Sequence, residues 1–413
     1  MVSKNHLFIG KIDVVKLARK LGTPVYIYNG DKIESNYREI YNSISYEPKQ
    51  IHYAVMANNR AEILKLLLKL GSYLQVNSLK EYILARKIGF PNERISVTTT
   101  NISKEDMEKF IKYKALLNLD SIEEIEKYGK IIEKFRRKGK EVNEKIGIRV
   151  FVHVKATGKY ITNKPYKPKA RVGIKKQKFE LVKKLSKKYK IQIIGIHGYL
   201  ASNIVELNPH LKLAKYLIKC AKEFQNLEYI NFGAGFGLPP KIKDKKFNWK
   251  KYGSSLTKLM KNLSKDIGRK INLKIEPGRS LVGDAGILLA KVTNIKDMDS
   301  WKEIGVDAGF GVFARPYIYN WKKGGYHPIV VANKLNQKRT ELYTICANSV
   351  LQGDYLGEDR KLPKVEEGDI IAILNTGAYG SVMMSLFPGM RKPGEILIYR
   401  NKIKVIEKVE KCV

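Results

Sequence analysis

Two short segments of the 413-residue chain carry residues whose types and spacing could do chemistry. "NFGAGFGLP" sets Gly233, Gly235 and Gly237 at alternate positions after an apolar run. Backbone N–H groups without side chains in the way can close on a phosphate there. "EPGRS" sets Glu276 three residues before Arg279: a guanidinium suited to a phosphate and a carboxylate suited to a pyridine nitrogen. Such a carboxylate keeps the nitrogen protonated and turns the ring into an electron sink. Either segment alone reads as an ordinary turn or an internal Glu276–Arg279 ion pair. On adjacent strands they point to a cofactor site. A third segment, "YAVMANN", ends a strand-like run in Met56 and Asn58, yet methionine is no acid, base or amine nucleophile.

The elements that must position these residues follow from hydrophobic period. Eight strand-like runs, "QIHYAVMA", "SYLQVNS", "RISVTTT", "ALLNLDS", "KIGIRVFV", "IQIIGIHGYL", "LEYINFGAG" and "INLKIEP", alternate with amphipathic stretches such as "RAEILKLLLKLG" and "HLKLAKYLIKCAKEF". Eight βα units close most economically into an α/β (β/α)8 barrel of the TIM type. A doubly wound open sheet is the alternative, disfavoured because no GxGxxG opens the first helix. Beyond about residue 284, runs such as "AGILLAKVTNIKDM", "RTELYTICANS" and "DIIAILNTG" predict a C-terminal all-β domain, to which "TPVYIYNGDKI" lends a strand. The expected division is 1–29 as an N-terminal strand segment joining the β-domain, 30–283 as the barrel and 284–413 as the β-domain. Barrel function sits at the C-terminal strand ends. There the sequence offers Met56 and Asn58, then Arg149, then His197, Tyr199 and Ser202, then the glycine turn, then Glu276 and Arg279.

Composition excludes several classes. No apolar run reaches the roughly 18 to 20 residues of a membrane span, and the N-terminus lacks a signal-peptide pattern, so a cytoplasmic protein is expected. Cys220, Cys346 and Cys412 are too scattered for a disulfide framework, and the six histidines show no metal-ligand spacing. The net charge of +38 is densest between Lys164 and Lys190, with twelve Lys/Arg against Glu180. Without a helix-turn-helix, zinc finger or RNP-type pattern to focus it, this reads as a lysine-rich solvated surface rather than a nucleic-acid site.

With these residues in place, the chain resembles the fold-type III pyridoxal phosphate (PLP) decarboxylases: diaminopimelate, ornithine and arginine decarboxylases. "YAVMANN" is similar to the family's YAVKAN segment and "GIHGYLASN" to GLHFHIGSQ. "IEPGRSLVGDAG" is similar to EPGRS, "VDAGFGVFARPYIY" to the substrate arginine–tyrosine region, and "NTGAYGSVMMS" to GAYG. The resemblance implies PLP as cofactor, with Gly233, Gly235, Gly237, Ser202 and Arg279 at its phosphate and Glu276 at its ring nitrogen. It implies Tyr199, Arg149, His197 and Tyr379 around the ring, and Arg315 and Tyr319 at the substrate's distal group. It also implies a homodimer with a shared active site and an amino-acid substrate, basic or diamino, such as diaminopimelate.

The chain departs from that pattern. Met56 stands where the family has its Schiff-base lysine, and Val350, in "NSVLQGDYLGEDR", where it has a catalytic cysteine; Cys346 lies four residues too early. Tyr199 replaces a ring-stacking histidine, Gln75 an aspartate, and Leu351 the glutamate of diaminopimelate decarboxylases. Losing the lysine costs on the order of 4 to 8 kcal/mol in barrier. Three readings follow. Another lysine, Lys155 or Lys159 after the fifth strand, supplies the amine; or PLP is held noncovalently and chemistry is altered or reduced; or the protein is a non-catalytic pseudoenzyme or a subunit binding PLP or a related phosphate ligand.

Overall fold

A computed structural model describes residues 2–3, 5–162, 171–239, 241, 244–319 and 325–411. The chain forms two compact units. One comprises Tyr37–Gly237 and Phe247–Gly278, the other Met1–Asn36, Leu238–Lys246 and Arg279–Val413.

The first unit is the expected barrel. Eight parallel strands close on themselves: β1 (Lys49–Ala54), β2 (Tyr73–Val76), β3 (Ile95–Thr98), β4 (Leu116–Leu119), β5 (Lys145–Val150), β6 (Gln192–Gly198), β7 (Tyr229–Asn231) and β8 (Asn272–Ile275). Closure is made by β8 against β1, with Ile275 opposite Ile51. Outward residues such as Ile51, Tyr53, Leu74 and Val97 are almost fully buried, as strands covered by helices on the outer face require. Helices start where the sequence supplies caps. Ser78, Ser103 and Ser121 accept from the N–H groups of Glu81, Asp106 and Glu124. Glu81 and Glu124 in turn accept from the N–H groups of Asn77 and Asp120, the residues just before the caps, one position earlier than in a capping box.

The barrel interior is filled by polar and aromatic side chains. The Tyr229 ring of β7 crosses it, and its hydroxyl donates to Asn118 Oδ1 of β4 at 2.6 Å. Glycines of β5 and β6 make room for that ring. A Cβ on Gly147 would lie 2.1 Å from the Tyr229 hydroxyl, and one on Gly195 would lie 1.9 Å from Cζ. Lys274 of β8 lays its ammonium 3.7 Å from the Tyr229 ring centroid, a cation–π contact in a dry setting. Burial lowers the Lys274 pKa from 10.5 to about 8, partly opposed by Glu276 and Glu228.

The second unit is built on a nine-stranded sheet. Its Val25–Asn29 strand lies between Gly286–Asp297, antiparallel, and Gly394–Tyr399, parallel. Val25, Ile27, Leu289, Ala372, Ile396 and Ile398 form its core with Val14, Val15 and Ala18 of the short helix Val14–Leu21. The basic segment is described only from Arg171 onward. Its helix Phe179–Tyr189 buries Phe179, Val182, Leu185 and Tyr189 and leaves Lys184, Lys187 and Lys188 in solvent, the pattern of a solvated amphipathic face. Among the described residues no helix is long and apolar enough to cross a membrane, and no cluster of His, Cys, Asp and Glu could hold a metal ion.

The buried ammonium generates a stability prediction. Folded Lys274 loses its proton near pH 8 and the unfolded chain near 10.5, so wild-type stability rises with pH across that window. Lys274→Met should stabilise the protein at pH 7 by on the order of 2 kcal/mol, and the advantage should shrink between pH 8 and 10. Thermal unfolding of both proteins from pH 6.5 to 10 checks this; a pH-independent difference, or a less stable variant at pH 7, contradicts it.

Candidate active site

The inward residues at the ends of β6, β7 and β8 converge on one carboxylate. Glu276 follows β8 and is 3% exposed. His197 Nε2 donates to its Oε2 at 3.0 Å, and Asn231 Nδ2 donates to its Oε1 at 2.7 Å. Burial raises the Glu276 pKa, but the charge and hydrogen bond of His197, with His52 and Asn231, outweigh it, so the group titrates below the ordinary carboxylate range. An ionised carboxylate oxygen has a second lone pair for a further donor. His197 Nδ1 is itself buried without a hydrogen-bond partner.

The glycine turn is fastened beside this carboxylate. Gly233 N–H donates to Asn231 Oδ1 at 2.9 Å, and Glu276 N–H donates to Gly233 O at 2.8 Å. Ile204 N–H donates to Gly235 O and Gly237 N–H to Ile204 O, each at 2.9 Å. The glycines are needed for this approach. Gly233 and Gly235 have φ of +67° and +102°, and a Cβ on them would lie 1.9 Å from Gly198 O and 2.2 Å from Ala201 O. Behind the turn, Phe236 stacks on His210 at 4.5 Å and 12°. Ser202 exchanges backbone bonds with Thr162, at 3.0 and 3.1 Å, and its hydroxyl lies 2.8 Å from that of Tyr199. The Arg149 guanidinium sits 5.6 Å from the Tyr199 ring centroid; burial lowers its pKa, while Asp120 and Glu276 support its charge. Ser202, the three glycines, Tyr199, Arg149, His197 and Glu276 are thus brought together at one end of the barrel. The buried carboxylate, the lone His197 Nδ1 and the glycine-rich turn fit a phosphorylated pyridine, although Gly233 and Gly237 give their own N–H groups to Asn231 and Ile204.

Met56 lies in the short 3-10 turn Val55–Ala57 after β1 and is 46% exposed between two buried neighbours. This turn packs on the Glu276–Gly278 segment. Ala54 N–H donates to Pro277 O, and a Cβ on Gly278 would lie 3.1 Å from those of Ala54 and Ala57. Lys155 and Lys159 have exposed side chains. The Lys159 backbone is tied to Glu206 at 2.9 Å, and its ammonium lies 5.1 Å from the adjacent Tyr160 ring. Gln75 is buried, bonded through Nε2 to Val76 O and Asn77 Oδ1.

The other expected residues belong to the second unit. Tyr379 adopts a φ of 57°, a left-handed conformation that costs a non-glycine residue about 1 to 3 kcal/mol. Its ring is flanked by the guanidiniums of Arg279 at 4.8 Å and Arg315 at 5.8 Å, and Arg315 also lies 5.0 Å from the Tyr319 ring. Arg315 is 2% exposed. His327 Nδ1 donates to Leu374 O, which leaves Nε2 to accept from Arg315 Nε at 3.3 Å. Burial, then the like charge of Arg279, pushes the Arg315 pKa down to about 9. Val350 is 91% exposed on its loop. Cys346 ends the strand Glu341–Cys346, is buried, and has its thiol pushed up to about 12 by burial and Glu303, so it is inert as a nucleophile. Cys412 falls outside the described residues.

Sequence reasoning missed Asn231, His52 and Lys274. The signal was there: Tyr229, Asn231 and Gly233, like Lys274 and Glu276, are two apart and share the inward face of their strands.

Comparison with known proteins places these features in a family. The pyridoxal-binding domain of the pyridoxal-dependent decarboxylases matches residues 30–283. The chain is 30% identical to the diaminopimelate decarboxylase of Methanothermobacter thermautotrophicus over 98% of this chain and 94% of that one. It is 31% identical to that of Aquifex aeolicus, over 98% and 93%. Among solved structures, the diaminopimelate decarboxylase of M. jannaschii in co-complex with L-lysine superposes with a TM-score of 0.87 at 26% identity, covering 100% of this chain and 95% of that one. The Helicobacter pylori protein complexed with L-lysine gives 0.86 at 26%, covering 97% of each.

The glycine turn yields its own prediction. Gly235→Ala adds a Cβ against the Ala201 carbonyl at positive φ and should destabilise the protein by on the order of 2 kcal/mol or more. Gly268→Ala, at φ +71° with nothing within 4 Å, carries only the conformational cost, about 1 kcal/mol. Urea unfolding of the pair checks the ranking; equal losses would show that the turn is not tightly held.

Proposed function

The chain belongs to the pyridoxal-dependent decarboxylase family, carboxy-lyases that use PLP, and from this we propose that it acts on a basic or diamino acid such as diaminopimelate, with chemistry altered or reduced by Met56 and Val350. The buried, ionised Glu276 held by His197 and Asn231 beside the glycine turn carries the reading. When bound, PLP supplies an electron-withdrawing ring that takes up the charge left as a carboxylate departs as CO2. The rest falls to the chain. Glu276 keeps a proton on the ring nitrogen, and His197 orients Glu276. Within the barrel unit, Gly233, Gly235, Gly237 and Ser202 would meet the phosphate, and Tyr199 and Arg149 the ring; the family resemblance gives the same two roles to Arg279 and Tyr379 of the other unit. Arg315 and Tyr319 receive the substrate's distal group, because arginine matches a carboxylate in charge and fork geometry.

The names of the relatives support diaminopimelate as substrate and lysine biosynthesis as the setting, and the bound L-lysine of two solved relatives is consistent with both. Leu351, where diaminopimelate decarboxylases carry a glutamate, weighs against that substrate. A second reading, a non-catalytic pseudoenzyme or a subunit binding PLP or a related phosphate ligand, is favoured by Met56 and by a solvent-facing Val350 in place of the cysteine.

A cytoplasmic homodimer with a shared site completes the proposal. Tyr317, Ile318, Val350 and Phe387 are each about half exposed or more. The segments near them are linked by Phe310 N–H to Asp354 Oδ1 at 2.8 Å and Leu386 N–H to Gly311 O at 2.9 Å. Exposed apolar side chains of this kind suit contact with a second copy of the chain. The proposed domain scheme is 1–29, 30–283 and 284–413; the compact units differ from it by grouping 30–36, 238–246 and 279–283 with the β-rich unit.

Release of CO2 from diaminopimelate, lysine, ornithine and arginine tests the reading. Slow release by the wild type and a gain of roughly 10³-fold in Met56→Lys, equal to about 4 kcal/mol of barrier, are expected. PLP binding with no CO2 from either protein would favour the binding subunit. No PLP binding by either would remove both readings.

A further inference from the structure

The family cofactor is an aldehyde, and its preference for the aldehyde over other forms of the same ring comes from a lysine that captures it. In this chain that position has no amine. Met56 lies half exposed in the turn after β1, with the buried methyls of Ala54 and Ala57 packed on Gly278 beside it. This wall is thioether, methyl and backbone, and none of these side chains ionises. Methionine is long, flexible and polarizable, so it fills the slot by contact alone.

The described amines nearest in topology are held elsewhere. Lys274 shares the inward face of β8 with Glu276 but lies one layer deeper, away from the mouth, with its ammonium 3.7 Å from the Tyr229 ring. Lys155 and Lys159 point into solvent on the loop after β5, and the Lys159 backbone is fixed to Glu206. The groups that recognise the rest of the ring are, by contrast, built and buried: the Glu276–His197–Asn231 cluster for the nitrogen and the fastened glycine turn for the phosphate.

We propose that the site selects a phosphorylated pyridine by its phosphate and ring nitrogen and is indifferent to the 4′ substituent, so that it takes the amine form, pyridoxamine phosphate, as readily as the aldehyde. The inference rests on the reading of the barrel end as a PLP site and adds the ligand class. Met56 is the specificity-determining residue: it removes the covalent term in aldehyde binding and leaves the noncovalent contacts common to all forms of the ring.

The test uses the full-length protein freed of bound ligand, with affinities for PLP, pyridoxamine phosphate, pyridoxine phosphate and pyridoxal read by calorimetry. The three phosphorylated rings should bind within about threefold of one another and pyridoxal at least about 100-fold more weakly. Borohydride treatment with PLP should leave no mass adduct. Met56→Lys should bind PLP at least about tenfold more tightly than pyridoxamine phosphate and carry a borohydride-fixed adduct on residue 56. A wild type that prefers PLP over pyridoxamine phosphate by tenfold or more, or in which borohydride fixes PLP to any lysine, overturns the inference and leaves the PLP site standing. A wild type that binds pyridoxal as well as the phosphorylated rings overturns the underlying reading too.

Discussion

One buried carboxylate organises the barrel interior. Taking Glu276 out of water would cost several kcal/mol if it were left unpaired, and the surrounding residues are those that repay it. His197 and Asn231 each give it a hydrogen bond, from the two strands that precede it around the barrel. Asn231 turns its carbonyl to the Gly233 N–H, and the Glu276 backbone bonds Gly233 O. The charge of the carboxylate, the shape of the glycine turn and the register of β7 against β8 are therefore one arrangement. Lys274 and Arg149 add positive charge within its field, and both are supported by it. A change in any of these groups would be felt at the carboxylate first.

Two of the departures from the family pattern, Met56 and Val350, fall outside this arrangement. Met56 sits on a turn that meets the Glu276 segment through Ala54, Ala57, Pro277 and Gly278. Val350 lies on an exposed loop of the other unit. A lysine at position 56 could be lost without unpairing a buried group, since the residue there is half in solvent. Replacing Asn231 or His197 would strand a charge. Position 56 thus takes an uncharged residue at little cost to the fold, whereas the Glu276 carboxylate depends on His197 and Asn231.

Most of the architecture was legible because it rests on hydrophobic period. All eight barrel strands begin and end within a few residues of the apolar runs, and the glycine turn and Glu276 lie where the strand order puts them. The strand Tyr355–Leu362 was not legible: its run Glu358, Asp359, Arg360, Lys361 is charged on consecutive residues and shows no alternation. Arg360 is nevertheless buried, with its guanidinium 3.9 Å from the Tyr326 ring, a tertiary contact that local pattern cannot carry. The bond from Asn231 to Glu276 was hidden for a related reason: asparagine before a glycine turn is the commonplace signature of the turn itself, and its inward role appears only when β7 lies beside β8. Likewise, the spacing of "NSVLQGD" said that Cys346 falls early, but its burial at a strand end is a packing fact.

The Glu276–His197–Asn231 cluster meets the cost of burying a charge and still leaves His197 Nδ1 without a hydrogen-bond partner. A second set of charged groups lies in the β-rich unit. Tyr379 holds a left-handed backbone conformation that glycine would adopt without strain, and Gly377 and Gly380 stand on either side of it in the tight "GAYG" turn. Arg279 and Arg315 approach the same tyrosine ring although their like charges oppose each other and burial already penalises Arg315. An anion accepting from both guanidiniums would offset the repulsion between them. Two guanidiniums beside one tyrosine ring thus make a cationic patch within the β-rich unit, in keeping with the anion-recognising roles proposed for Arg279 and Arg315.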